Sequence, residues 1–108
     1  MGKNVRITPA FFFLLLTLVD GDKHGYAMAK EVEDRSDGSI ELGPGSLYWS
    51  LSRLCEVGYI EETRAPEDNS REGRRRYYRL TDVGREVLER ETETLSRVLS
   101  FARDKQVI

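Results

Sequence analysis

A run of ten residues near the start of the chain, AFFFLLLTLV at positions 10–19, is apolar on nearly every side of the helix that it would form. Thr8 and Pro9 come directly before it, and these residue types favour the N-cap and the first position of a helix. A helix without a polar face has to be buried on most sides, either by its own domain or by a second chain. The run therefore restricts the chain to folds that cover this first helix almost completely.

The same run is too short to cross a membrane. It has half of the ~20 residues that a membrane span requires, and residues 20–23 add three charges directly after it. Lys3 and Arg6 precede the run and AMA follows at 27–29, as in a signal peptide, but the intervening charges argue against one. We expect a cytoplasmic protein with no membrane partner.

The composition limits the chemistry that the chain can perform. With 108 residues, 39% of them hydrophobic, it suits one domain with a modest core. Its single cysteine, Cys55, cannot form an intramolecular disulfide, and the single histidine, His24, leaves almost no ligands for zinc. No arrangement of a nucleophile with its base, and no phosphate-binding loop, is present. We therefore predict no metal, no cofactor and no enzymatic activity.

Two further helices and a hairpin are predicted after the first helix. The segment HGYAMAKEVEDRS, 24–36, has the apolar spacing of a short amphipathic helix, and GPGSLYWSLSRLCEVG, 43–58, that of a third helix. Gly43 stands at its N-cap position. The runs YIEETRA, 59–65, and RRRYYRL, 74–80, are rich in residues that favour strands and flank a polar loop, which predicts a β-hairpin.

The last segment is a long helix that Thr81 caps, with Leu and Val side chains along one stripe. About 22 residues at 1.5 Å each span ~33 Å, whereas a domain of 80 residues has a radius of gyration of only ~12 Å. The helix should overhang its own domain. Each Leu or Val left in water would cost about 1.5–3 kcal/mol, so we expect a second copy of the chain to cover the stripe.

Three helices, a hairpin and a terminal helix follow one another in the order of a winged helix-turn-helix domain. The predicted fold class is thus mainly α with a small β-hairpin, with residues 1–80 forming the DNA-binding domain and residues 81–108 a dimerisation helix. In such a domain the third helix enters the major groove of DNA, and the hairpin, or wing, reaches the neighbouring backbone.

The charge distribution fits this order. Residues 71–79, REGRRRYYR, hold five arginines and one acid, whereas the whole chain has a formal net charge of -2. Positive charge on the wing and negative charge elsewhere would orient the protein on DNA, because phosphate contacts supply most of the affinity. The predicted partner is double-stranded DNA with a pseudo-palindromic operator.

Three motifs resemble those of the PadR-like transcriptional regulators: HGYAMAKEVEDRS, LGPGSLYWSLSRLCEVGYIE and GRRRYYRLTDVGREVLE. The resemblance implies a winged helix, a dimerising C-terminal helix of the short form, and repression of transcription that a small molecule often relieves. It also implies that Tyr26 and Lys30 help to grip the DNA backbone. The chain departs from the family pattern at Gly43, Trp49 and Ser52, at the cap and on the face of the predicted third helix.

These arguments select two sets of candidate residues. The DNA-binding set comprises Tyr26, Lys30, Ser46, Trp49, Arg53, Arg74, Arg75 and Arg76. The dimerisation set comprises Phe12, Leu15, Leu16, Leu88, Leu95, Val98 and Leu99.

Alternatives stay open for several residues. The arginines of the wing could be a solvated strand edge, and Arg53 could pair with Glu56 or Glu33. Trp49 could contact a thymine methyl or a sugar, line a pocket for an aromatic effector near the dimer seam, or cover a neighbouring helix. For the whole protein, the alternative to a dimeric repressor is a winged-helix module that binds another protein and not DNA.

Overall fold

The computed structural model describes residues 5–64 and 76–108. Four helices and a sheet of three short strands make up this part of the chain. In chain order the elements are α1 (Pro9–Thr17), β1 (Lys23–His24), α2 (Gly25–Arg35), α3 (Pro44–Glu56), β2 (Ile60–Thr63), β3 (Tyr77–Leu80) and α4 (Asp82–Asp104). The predicted fold class, mainly α with a small β component, is confirmed.

Local signals set where the helices begin. The Thr8 hydroxyl accepts a hydrogen bond from the Phe11 N–H at 3.2 Å, and α1 starts at the following proline. The Thr81 hydroxyl does the same for the Gly84 N–H at 3.0 Å. Gly43 is the N-cap of α3 and provides no side-chain hydrogen bond. All three predicted starts are confirmed.

The end of α3 turns the chain directly into the sheet. Gly58 adopts φ +83°, a left-handed conformation that favours glycine. The Tyr59 N–H then donates to the Leu54 carbonyl, and the Gly58 N–H to the Cys55 carbonyl, each at 3.0 Å. These bonds satisfy the last carbonyls of the helix, so α3 ends here and the chain passes at once into β2.

The sheet has one strand more than the sequence predicts. β3 lies in the centre, antiparallel to β2 on one side and to β1 on the other, with His24 opposite Tyr77. The predicted two-stranded hairpin is therefore incomplete. β1 has two residues, too few to show the alternation by which a strand is recognised in a sequence.

The hydrophobic core lies between the helices and one face of the sheet. Tyr78 points from the central strand into it and is 4% exposed. The other core side chains are Phe11, Leu14, Leu15, Leu18, Met28, Val32, Leu47, Leu51, Leu54, Tyr59, Ile60 and Leu88. The apolar first helix is therefore buried mainly by its own domain.

Two residues of the predicted dimerisation set belong to this core. Leu15 is 0% exposed and Leu88 is 5% exposed in the single chain. Their assignment to the dimer surface is corrected: Leu15 faces the interior of the domain, and Leu88 lies where α4 still packs on that domain. Phe12 is half-buried and packs against the same core.

The first turn of α4 is bonded to the segment that follows α3. The Thr81 N–H donates to the Tyr59 carbonyl at 3.1 Å, and the Thr81 hydroxyl to the Gly58 carbonyl at 2.5 Å. At Gly84 the backbones are so close that an added Cβ would lie 2.0 Å from the Tyr59 oxygen. Only glycine fits this position.

The remainder of α4 leaves the domain. From residue 92 to the end of the chain, all residues except the half-buried Ala102 are exposed. The predicted overhang of the last helix is confirmed. Within the described ranges, no helix is both long enough and apolar enough to cross a membrane.

Candidate DNA-binding surface

One side of α3 is buried and the other is open to solvent. Leu47, Leu51 and Leu54 point into the core. At 100° per residue, Gly45, Trp49, Ser52 and Glu56 lie opposite them, and all are exposed. We call this side the outward face of α3. It presents a glycine, an indole, a hydroxyl and the carboxylate of Glu56.

Trp49 stands near the centre of the outward face with 64% of its surface exposed. Its ring stacks on that of Phe11 in α1, with centroids 6.1 Å apart and planes inclined by 15°. Ser46, one turn earlier, is exposed beside a shallow groove of about 510 Å³ between α1 and α3. Of the three placements considered for Trp49, contact with a neighbouring helix is thus present in the single chain.

The start of α2 flanks α3 on the other side. Tyr26 is 68% exposed, and it lines with Lys30 and Tyr48 a groove of about 340 Å³ between the two helices. Lys30 is exposed and forms no salt bridge with any residue that the structure describes. Tyr26 and Lys30, which the family resemblance selected in α2, therefore line a groove whose other wall is α3.

Tyr48 is absent from the predicted set. It is 59% exposed, although the residue before it, Leu47, is in the core. A helical wheel turns Tyr48 about 100° away from that leucine, onto the flank that faces α2. Its place on the helical wheel, between the buried side and the outward face, was the signal that could have identified it.

His24 holds the start of α2 against the sheet. Its Nδ1 accepts a hydrogen bond from the Ala27 N–H at 3.1 Å, so the side chain is the N-cap of α2. The ring lies edge-on to Tyr77 of β3, with centroids 5.5 Å apart, and stacks on Tyr26 at 6.3 Å. The tyrosine at the start of α2 is thereby oriented by contacts with its own helix cap.

Arg53 is paired within its own helix. Its Nη1 lies 2.5 Å from Oε1 of Glu56, and both side chains are partly exposed. A surface pair of this kind contributes about 0–1 kcal/mol, so a phosphate could replace the carboxylate at little cost. The salt-bridge alternative considered for Arg53 is present, and a contact with DNA would require an exchange of partners.

Glutamates of β2 face two arginines of the wing. Arg79 Nε lies 2.7 Å from Oε1 of Glu61, and Arg76 Nε lies 3.8 Å from Oε1 of Glu62. These acids partly offset the positive charge of residues 71–79. Arg74 and Arg75, which the sequence assigns to DNA binding, lie outside the described residues.

Two side chains beneath this surface, Tyr78 and Cys55, have raised pKa values. Burial, and then the charge of Glu62, raise the pKa of the Tyr78 hydroxyl. Burial, followed by Glu62 and Glu61, also raises the pKa of the half-buried Cys55 thiol. Among the described residues no group of His, Cys, Asp and Glu side chains is arranged to hold a metal ion.

The exposed members of the dimerisation set lie on α1 and α4. Leu16 of α1 is 45% exposed, and on α4 the exposed fractions are 46% for Leu95, 54% for Val98 and 47% for Leu99. The three α4 residues continue the stripe that begins with the buried Gly84 and Leu88.

Comparisons with known proteins agree with this architecture. A 37.1 kDa protein in a Streptomyces fradiae transposon is 38% identical over 94 residues, which are 87% of this chain and 25% of that protein. The chain thus spans a quarter of that relative's length. A PadR family regulator from Clostridium difficile has 27% identity and a TM-score of 0.70, covering 87% of this chain and 96% of its own.

A third protein, Bacillus subtilis PadR, was solved in complex with operator DNA. It shares the fold, with a TM-score of 0.65 at 20% identity, over 81% of this chain and 47% of its own. The profile of the PadR-like family of transcriptional regulators matches residues 14–90. The match covers α2, α3, the sheet and the first part of α4, and the chain therefore belongs to the PadR-like family of transcriptional regulators.

Proposed function

We propose that this protein is a homodimeric regulator that binds a pseudo-palindromic operator in double-stranded DNA and represses transcription. Residues 1–80 would bind DNA, and residues 81–108 would dimerise. The observation that carries the proposal is the outward face of α3, which is open to solvent and flanked by the exposed Tyr26 and Lys30 of α2. The operator-bound Bacillus subtilis relative with the same fold supports DNA as the partner.

Each side chain of this surface has a role in the proposal that follows from its chemistry. Lys30 would contact a phosphate, since it is exposed and forms no ion pair with the described part of the chain. Tyr26 and Tyr48 would donate hydroxyl hydrogen bonds to the backbone. Ser46, in the first turn of α3, and Arg53, in its last turn, would face base edges or phosphates.

The exposed second half of α4, from residue 92 onward, supports the dimer. Leu95, Val98 and Leu99 recur at helical spacing and are each about half exposed, so a second copy of the same stripe would cover them. Two-fold symmetry of the protein then requires two-fold symmetry of the operator. The half-sites should be one helical turn of DNA, ~34 Å, or a multiple of it apart.

Release by a small aromatic molecule is part of the proposal. The groove of about 510 Å³ between α1 and α3 is lined by Phe11 and Trp49, which suit a flat apolar ligand. Because Trp49 also belongs to the outward face of α3, a molecule bound there would compete with DNA directly. Quenching of the Trp49 emission by a panel of planar aromatic acids and amines, with release of bound DNA, would support this part.

A titration of labelled DNA tests the main proposal. A fluorescent duplex from upstream of the protein's own gene is titrated at two or more salt concentrations beside a scrambled duplex, with anisotropy as the readout. We expect saturable binding that prefers the upstream duplex and weakens as salt rises. Equal, weak binding of both duplexes, together with capture of a protein partner that survives nuclease treatment, would favour the protein-binding module instead.

Substitution of Lys30 by Ala separates phosphate contacts from base recognition. K30A should weaken binding to all sequences alike, and it should lower the slope of log K against log salt by about 0.9 if Lys30 neutralises one phosphate. K105A is the matched control, because Lys105 is an exposed lysine at the far end of α4. Identical salt slopes for K30A and the wild type would exclude the phosphate contact.

A further inference from the structure

Trp49 is the largest side chain on the outward face of α3. Contacts with the phosphate backbone of DNA, which do not depend on sequence, do not require it. The indole is 64% exposed, and it lies in the half of α3 nearer the N-terminus. Helices that enter the major groove touch base edges mainly with this half. The exposure of a large apolar ring in the half of α3 that would touch base edges therefore needs a functional explanation.

The ring is held in place before any ligand binds. The Phe11 ring, itself 5% exposed in the core, lies nearly parallel to the indole, with centroids 6.1 Å apart. Most of the indole, 64% of the residue's surface, stays exposed to solvent. A side chain that is already ordered loses little rotamer freedom on binding, so its contacts contribute more of their free energy to affinity.

The neighbours of Trp49 allow the ring to reach farther than the rest of the helix. One turn before it is Gly45, where an added Cβ would have nothing within 4 Å, and Ser52 follows at the next position on that face. Neither residue extends as far as an indole. In the first half of α3, the indole is therefore the side chain of the outward face best placed to contact base edges.

The chemistry of the ring restricts which base edge it suits. An indole offers one N–H donor and no acceptor, and the rest of it is apolar. Among the groups that base pairs present in the major groove, the C5-methyl of thymine is the apolar one. The other edges consist of donors and acceptors that an apolar ring would desolvate without replacing their hydrogen bonds.

We infer that Trp49 makes this protein prefer thymine at one position of each half-site, by burying the C5-methyl group against the outward side of the indole. The inference rests on the proposed binding of DNA. It assigns sequence recognition to an apolar contact of α3, and it leaves phosphate contacts to Lys30 and the wing.

Exchange of thymine for deoxyuridine tests this contact, because it removes only the methyl group. Duplexes are first selected from a randomised library with the full chain, and each thymine of a selected duplex is then replaced singly. The wild type should bind about fourfold more weakly after replacement at one position per half-site, as ~0.8 kcal/mol for one buried methyl group predicts. W49A should bind thymine and deoxyuridine equally there, and W49F should retain part of the preference.

Y48A is the matched control, since Tyr48 is an exposed aromatic residue of the same helix. It should bind DNA more weakly but keep the full penalty for deoxyuridine. A penalty of the same size in W49A, or no penalty at any thymine for the wild type, would overturn the inference and leave DNA binding intact. If no duplex is enriched at all, the proposed function fails and the inference fails with it.

Discussion

At the scale of single residues, Gly84 shows how a local rule is reversed by a tertiary contact. Inside a helix, replacing glycine by alanine normally stabilises by up to ~1 kcal/mol. At Gly84 the new Cβ would lie 2.0 Å from the Tyr59 carbonyl oxygen, so backbone would have to move. We expect G84A to lower the free energy of unfolding by about 1–3 kcal/mol, the usual cost of overpacking, measured by urea denaturation.

The matched control is G45A, also a helical glycine. An added Cβ at Gly45 has nothing within 4 Å, so this substitution should be neutral or stabilising. Equal stability of G84A and wild type would mean that α4 shifts freely relative to Tyr59, contrary to the bond between Thr81 and Tyr59.

A second residue with a defined electrostatic partner is Asp20. A hydrogen bond and the charge of Lys23, whose Nζ lies 2.5 Å away, hold the pKa of the Asp20 carboxyl below its ordinary value of 3.8. Since the folded pKa is the lower one, this pair stabilises the fold above the unfolded pKa, and the effect disappears as pH falls through the folded pKa. K23M should raise the pKa of Asp20 towards 3.8, as followed by carboxyl carbon NMR across the acidic range.

Asp22 provides the comparison within the same turn. Its carboxyl is not bonded to Lys23 in the structure. D22N, which removes this second carboxyl, should therefore leave the pKa of Asp20 below 3.8, and an unchanged Asp20 pKa in K23M would contradict the specific pair.

At the scale of elements, the helices were predictable from the sequence and part of the sheet was not. Thr8 and Thr81 each cap a helix by a hydrogen bond to the N–H three residues later. Because both partners are close in the sequence, these helix starts could be predicted from it. β1 exists because His24 meets Tyr77, more than fifty residues later in the chain, and a contact at that distance leaves no local pattern.

The same reasoning explains which site residues could be predicted. Tyr26 and Lys30 were selected from the family resemblance and do lie beside α3, whereas Tyr48 was missed because it adjoins a core leucine. Leu15 was misassigned because an all-apolar helix does not reveal which of its sides faces the core. The full domain, and not the helix, decides that.

At the scale of the whole molecule, the exposed apolar stripe of α4 predicts that the protein is a dimer. L99K should give a monomer by light scattering and weaken operator binding, because the new charge would be buried in the proposed seam. S100K is its neighbour control: Ser100 is exposed and lies about 100° farther around the helix, so that variant should remain dimeric. A monomeric wild type would remove the basis for a palindromic operator.

The bonds between the end of α3 and the first turn of α4 have a mechanical consequence for the proposed dimer. Thr81 donates hydrogen bonds to the carbonyls of Gly58 and Tyr59. At Gly84 the two backbones are too close to admit an added Cβ. The helix that would join two copies is therefore rigidly coupled to the helix that would read the bases. A change in the angle between the two copies at the seam would therefore move both copies of α3 with it. The distance between the two half-sites would depend on one turn of backbone that lies far from the DNA.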